Sequence, residues 1–369
     1  MKRIILVMLT VLLVSAIIFG GCAKPAEETP TTPTTPTEPT KPTEPVKPIE
    51  WRFASFIPPF DVYATEAEDW ADQLEEATGG RVRVNFYWAE SLVKMPGLAD
   101  AVVSGTSDMA HVVASMFPAR FPFTQFFYYP LMVFKDAPHT GRTAIALLNK
   151  YQEYRDELPG TRVLWFNCPG PTGDIVLKTK PVQTMEDLKG VKVATTAGGE
   201  IKAFNALGAT VVPVIVTEQY HALETGIIDA SAGEFNQFFI WKLYEVTKYR
   251  TENVRMAGRA YQTSINIESY NKLPEEIKQL FNELTDSTEM TKRVNEAFKQ
   301  FSAESRGKIV ENDKRLGNAP FYALPEAERE RWKEVVQPVN EEWANELEAK
   351  GLPGKAFLAD AIAFAEQYE

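Results

Sequence analysis

The sequence predicts an α/β fold built as two lobes. Three observations carry that expectation. The chain has 369 residues, more than one hydrophobic core of ordinary size organises. Strand-like alternation and helix-like periodicity take turns along the body, the pattern of a largely parallel sheet with helices packed on it. The series then stops at a Pro- and Phe-rich link and starts again, with some strands expected to cross between the lobes.

The first residues stand outside the lobes. Basic "MKR", apolar "IILVMLTVLLVSAIIFG" and small "GGCAKP" read as a secretory signal over 1–21 with a lipobox-like end, leaving Cys22 as a lipid anchor. The competing reading is an uncleaved membrane helix, although the run is near the lower length limit for spanning. Phe19 stands where a lipobox usually has leucine. Residues 22–48 then run through "AKPAEETPTTPTTPTEPTKPTEPVKP", almost all Pro, Thr, Glu and Lys. Such a stretch buries nothing and predicts an extended, semi-rigid linker.

In the body, "IEWRFAS" predicts a strand, and "ATEAEDWADQLEEATGG" an amphipathic helix with Trp70 and Leu74 on one face and glycines at its end. "RVRVNFYW" alternates Val82, Val84 and Phe86 with Arg81, Arg83 and Asn85, as a half-buried strand does. "GLADAVVSG" reads as a short helix and "DMAHVVAS" as a strand buried on both faces. A helix is expected around 140–158. The second series follows: strands at "TRVLWFN", "DIVLKT", "VKVATT", "TVVPV", "IIDASAG" and "AYQTSINIES", and helices at "EIKAFNALG" and "TEQYHALETG". Thr217 is the expected N-cap of the last of these, with Gly226 just past its end. From Pro274 to about Arg315 one apolar face continues through Ile277, Phe281, Met290, Val294 and Phe298. This predicts a single helix about 60 Å long lying along both lobes. The predicted domains are 49–171 with about 260–299 for lobe I, and 172–259 with about 300–369 for lobe II and the C-terminal helices.

Charge and motifs narrow the function. The formal charge is −11, and removal of Lys2 and Arg3 with the signal makes it −13. An acidic body argues against nucleic acid as a partner. Beyond Cys22 only Cys168 remains, so a lipidated Cys22 leaves no intramolecular disulfide. The chain shows neither G-x-x-x-x-G-K-[ST] nor G-x-S-x-G. His111, His139 and His221 have no metal-ligand spacing, and His111 sits in an apolar strand as a core histidine would. No catalytic residue, cofactor or metal is predicted, and the expectation is a protein that is not an enzyme.

Five segments, "TGGRVRVNFYWAESL", "AVVSGTSDMA", "KPVQTMEDLKGVKV", "ALGATVVPVIVTEQYHALETGIIDA" and "WKLYEVTKY", occur in an order and spacing that closely resemble the TRAP-type (tripartite ATP-independent periplasmic) transporter solute-binding proteins. The resemblance runs from about Trp51 to the C-terminal helices. It implies a periplasmic-binding-protein-like fold whose lobes are joined by crossing strands and a long helix. It also implies an extracytoplasmic protein that closes on a small organic solute and delivers it to a membrane permease. The alternatives are a tethered receptor for a sensor kinase and, with less support from the motif order, an ABC-importer binding protein.

The sequence departs from that family at the ligand. Its members carry an arginine after "LKGLKI" that pairs with the ligand carboxylate; "DLKGVKVA" places Ala194 there. Cleft residues are therefore sought at strand exits: Phe56, then Trp88 and Glu90, Ser115, Pro171 and Thr172, Thr195, Thr196 and Ala197, and Glu234 and Phe235. For Phe56, Trp88 and Phe235 the alternative is apolar packing, and for Glu234 a surface charge. Arg120 is the cation nearest a predicted strand end, with a structural loop role as its alternative. Thr195 to Glu200 are expected to open a helix whose free amides and threonine hydroxyls replace the missing arginine. The expected ligand is a monocarboxylate or an aromatic or hydrophobic organic acid.

Overall fold

The computed structural model describes residues 47–368. The signal, Cys22 and nearly all of the linker lie outside the described residues. The first strand, β1 (Ile49–Ala54), buries Trp51 and Phe53 on the face where its pleat points inward. Helix α1 (Val62–Ala77) starts at Asp61, whose carboxylate accepts from the Tyr63 amide, and buries Trp70 and Leu74. Then follow β2 (Val82–Tyr87), α2 (Leu98–Ser104), ended by Gly105 in the left-handed region, and the fully buried β3 (Met109–Val112). The helix expected around 140–158 is two, α3 (Ala137–Lys150) and α4 (Gln152–Arg155). Asp136 caps the first, and extended Tyr151 separates them.

Beyond β4 (Thr161–Asn167) the chain enters a second set: β5 (Asp174–Leu177), β6 (Lys192–Ala194), α5 (Gly198–Ala206), β7 (Thr210–Val212), α6 (Val216–Thr225), β8 (Ala230–Gly233), α7 (Phe235–Ile240) and β9 (Tyr249–Glu252). The cap expected at Thr217 is not formed. Ile215 is the last extended residue before α6, so Thr217 lies inside its first turn, while Gly226 does end the helix at φ 79°. The chain then returns through β10 (Tyr261–Asn266) and α8 (Ile267–Asn271).

The long helix is interrupted. It forms α9 (Glu275–Leu284) and α10 (Ser287–Leu316), parted at Thr285 and Asp286. The Asp286 carboxylate accepts from the amides of Thr288 and Glu289, both at 3.0 Å, and starts a new helix where the apolar spacing alone suggested continuity. At 30 residues α10 is about 45 Å long. Strand β11 (Tyr322–Ala323) and helices α11 (Glu326–Glu348) and α12 (Gly354–Gln367) complete the chain.

Two mixed sheets result, one ordered β2-β1-β3-β10-β4 and one ordered β11-β9-β5-β8-β6-β7. In the first, β1 runs parallel to β2 and β3, whereas β10 is antiparallel to β3 and β4. The chain passes between the sheets through 168–173 and 253–260. These crossings are bonded to each other, Thr172 N–H to the Ala257 carbonyl and Met256 N–H to the Thr172 carbonyl, each at 2.7 Å. Helix α10 ties both sheets: Arg293 reaches Glu66 of α1 at 2.6 Å, and Arg306 grips Glu252 of β9 bidentately at 2.7 and 2.8 Å. Separate apolar clusters underlie each sheet, around Trp51, Trp70 and Phe281 in one and around Val193, Phe204 and Trp332 in the other. A third cluster, with Phe123, Phe126, Trp343 and Phe357, fastens α11 and α12 to the link after β3.

Arg250 of β9 and Asp313 near the end of α10 form a buried pair at 3.0 Å. Burial raises the Asp313 pKa and lowers that of Arg250, so each ion is held by the other against desolvation. Asp313→Ala, which strands the arginine, is expected to cost about 3–5 kcal/mol. Urea denaturation measures this, and replacing Arg250 by Met and Asp313 by Leu together is expected to recover most of the loss.

Candidate functional site: a cleft between the two sheets

The parallel strands β1, β3 and β6 present their C-terminal ends to a shared cleft, where open α/β sheets hold ligands. A cavity of about 50 Å³ lies there. Phe56 follows β1, Val113 and Ser115 follow β3, and Thr195, Thr196 and Ala197 follow β6. From the second sheet come Ala232 of β8, Gln237 of α7, and Val216 and Gln219 of α6. Tyr128, Arg259 and Tyr261 close it along the crossing. A second cavity of about 40 Å³ shares Phe56, Val216, Gln237 and Tyr261 with the first and continues to Asp61, Asn167, Glu234 and Asn236.

Arg259 is the cation of this cleft, and only 7% exposed. Its Nη1 donates to Gln237 Oε1 at 2.7 Å and to Glu234 Oε2 at 3.0 Å, while Nη2 stands 3.4 and 3.5 Å from the Glu200 carboxylate oxygens. Its backbone is left-handed, with φ 50°, and its N–H donates to the Phe127 carbonyl at 2.7 Å. A non-glycine residue held there is strained, and such strain is characteristic of ligand clamps. Asn253 and Arg255 in the same crossing are also left-handed. Burial works against the guanidinium charge, but Glu234, Tyr261 and Glu200 outweigh it and hold the pKa above its ordinary value.

The family profile described as "Bacterial extracellular solute-binding protein, family 7" matches residues 53–346. The chain belongs to this family. The C4-dicarboxylate-binding periplasmic protein DctP of Rhodobacter capsulatus is 26% identical to it over 305 residues, 82% of this chain and 88% of the relative. A TRAP periplasmic solute-binding protein of Desulfovibrio salexigens superposes with a TM-score of 0.75 at 25% identity, over 88% of this chain and 97% of the other. A marine-metagenome TRAP solute-binding protein specific for aromatic acid ligands reaches 0.80 at 23% identity, over 87% and 99%; at that identity the likeness is one of fold. The solute-binding function and the two-lobed TRAP-type fold stand on these matches.

The cleft of this family 7 protein gathers some of the expected residues and leaves others out. Phe56, Ser115, Thr195, Thr196 and Ala197 line the first cavity, and Glu234 the second. Trp88 packs on Phe86 at 4.9 Å and donates to Glu68, outside both. Glu90 accepts from the Met95 amide and pairs with Lys94. Arg120 is bound to Asp100 at 2.6 Å, which satisfies it as a loop residue. Pro171 and Phe235 line a different cavity, with Phe235 stacked on Phe321. Ala194 is wholly buried in β6.

The threonine reading needs correction at Thr195, and Thr172 shares its fate. Thr195 Oγ1 donates to Glu200 Oε2 and Thr172 Oγ1 to Glu200 Oε1, both at 2.5 Å. A hydroxyl has one proton to give, so both are committed to Glu200. Glu200 itself sits in the first turn of α5 and already faces its positive end. Gly199 makes this packing possible: a Cβ there would lie 2.3 Å from the Tyr128 carbonyl. His111 is a core residue as expected. Asn167 Nδ2 donates to its Nε2 at 3.0 Å, its Nδ1 lies 3.2 Å from the Ser55 hydroxyl, and burial lowers its pKa to about 3, keeping it neutral.

Sequence reasoning missed Arg259, Tyr261, Tyr128 and Gln237. The strand-exit rule points to the C-terminal ends of strands, but β10 is antiparallel to β3, so its beginning lies at the cleft. The available signal was an arginine directly before the alternating run "AYQTSIN".

Burial pushes the Glu234 carboxyl up to about 7, against the pull of Arg259, and the Asp61 carboxyl up to about 7, against its bond from the Tyr63 amide. Both are raised above their unfolded values, so the folded protein holds protons that the unfolded chain releases. Their stabilisation is full below about pH 4 and is lost as pH rises through about 7. Urea midpoints are expected to fall from pH 5.5 to pH 8, and Glu234→Gln is expected to flatten that slope.

Proposed function

We propose that this protein captures a small monocarboxylate with an aromatic or hydrophobic body and passes it to a TRAP-type permease, held at the membrane by a lipid on Cys22, without chemically altering its ligand. The observation that carries the ligand class is Arg259. It is the only cation among the described residues lining the first cavity, and it stands among Phe56, Tyr128 and Tyr261. A carboxylate needs such a donor in a desolvated site. The aromatic walls suit a ring or hydrocarbon body.

The charge balance disfavours a dicarboxylate. The single guanidinium is already faced by Glu200 and Glu234, so a second ligand anion would meet no cation and two acids. The monocarboxylate preference thus rests on this balance rather than on a lack of arginine. An arriving anion takes over Arg259 and leaves Glu234 less compensated, which drives its pKa further up. Since that pKa already stands at about 7, Glu234 takes up a proton as the ligand binds.

Three outcomes are expected. In thermal-shift and calorimetric titrations benzoate-like acids stabilise the protein and succinate does not. Arg259→Lys weakens benzoate by about 10- to 100-fold, the loss of a charge-assisted planar contact. Calorimetry at pH 7.5 in buffers of different ionisation enthalpy shows proton uptake, with affinity rising as pH falls through about 7. Strong stabilisation by succinate with none by monocarboxylic acids would overturn the reading.

A further inference from the structure

We infer that the second cavity is the seat of a hydrogen-bond donor on the ligand, so that the solute carries a hydroxyl or ammonium group besides its carboxylate. This rests on the reading of Arg259 as the carboxylate partner. The first support is a pair of unpartnered oxygens. Asn167 and Asn236 both line the second cavity and are 1% and 3% exposed. The Oδ1 atoms of both lack a hydrogen-bond partner among the described residues. A buried amide oxygen without a partner is costly, and these two both face one cavity.

The orientation of Asn167 is set by its neighbour. Its Nδ2 donates to Nε2 of His111, a neutral ring whose Nδ1 faces the Ser55 hydroxyl. With the ring proton on Nδ1, toward the Ser55 hydroxyl, Nε2 accepts from the amide and the Asn167 oxygen is the free end. The remaining polar groups of the cavity favour the same sign. Asp61 and Glu234 are carboxyls, and each keeps an accepting oxygen whether or not it carries a proton. Gln237 has its Oε1 on Arg259 and its Nε2 turned to Gln219 and Ser231. The two cavities thus have opposite chemistry. One offers the donors of Arg259, the other oxygens that accept. Phe56 and Tyr261 are walls common to both, which places the body of the solute between them.

This arrangement selects strongly. A site built to receive an O–H or N–H rejects the analogue lacking it, because its own polar atoms are then left buried and unpaired. A methyl ether is rejected further, since it adds bulk and no proton.

The test is isothermal titration of the full mature chain with benzoate, 4-hydroxybenzoate, 4-methoxybenzoate, 4-(aminomethyl)benzoate and phenol, each also against Asn236→Leu. Tighter binding of the hydroxy or aminomethyl acid than of benzoate, by tenfold or more, is expected, with the methoxy acid weaker than benzoate. Which of the two donors wins identifies hydroxyl or ammonium. Asn236→Leu is expected to bring the donor-bearing acid to within about threefold of benzoate, with circular dichroism and the urea midpoint showing that the variant is folded. Equal binding of all the benzoates overturns the inference and leaves the carboxylate reading standing; the oxygens then hold only water. Binding of phenol that Asn236→Leu abolishes, with no carboxylate bound, keeps the donor seat and overturns the carboxylate reading. No binding by any of them overturns both.

Discussion

A guanidinium buried between two sheets has to be neutralised, and in this protein the elements that neutralise it are those that make the cleft. Arg259 reaches Glu234 and Gln237 at the start of α7 and faces Glu200 in the first turn of α5. Its backbone N–H is anchored on the Phe127 carbonyl. The crossing from the second sheet to the first, two helix ends and the link after β3 therefore meet at one charge. In a low-dielectric site such a cluster holds together only if each member has its partner. That condition accounts for the hydroxyls of Thr172 and Thr195 on Glu200, and for the glycine at 199 that lets α5 approach Tyr128.

The same cluster makes the site adjustable. One cation faces two acids, and one of those acids titrates at about pH 7 because of burial. An anion does not have to displace a fixed ion pair, since Glu234 can accept a proton and give up its claim on Arg259. The neutral, hydrogen-bonded His111 below Phe56 has the opposite character. It is too far from titration near neutral pH to take part, and it orients Asn167 by accepting from its amide.

The lobes are held as a pair by the crossings beside the cleft and by α10. The crossing strands bond to each other, and α10 carries ion pairs to α1 at one end and to β9 at the other. The division of labour is physical. Apolar clusters under each sheet make up the lobes, while the crossings and the Arg259 cluster between them are buried and polar.

Much of this was legible in the sequence. The alternation of Val82, Val84 and Phe86, the spacing of Trp70 and Leu74, and the glycines at 105 and 226 are local signals, and local signals decide which element forms. The order of motifs was enough to indicate the family, and the strand-exit rule pointed to Phe56, Ser115 and Thr195 to Ala197, which line the first cavity. What the sequence could not determine was pairing. Whether β10 runs with or against β3 is a long-range choice, and it brings Arg259 to the cleft. Likewise Thr195 has a hydroxyl in either case, but only the tertiary structure brings Glu200 and Thr172 around it and commits its proton. Strand and helix are written in neighbouring residues; the charge balance of the cleft is set by groups from α5, α7 and the crossing, more than 20 residues apart in the chain and adjacent only once both sheets have formed.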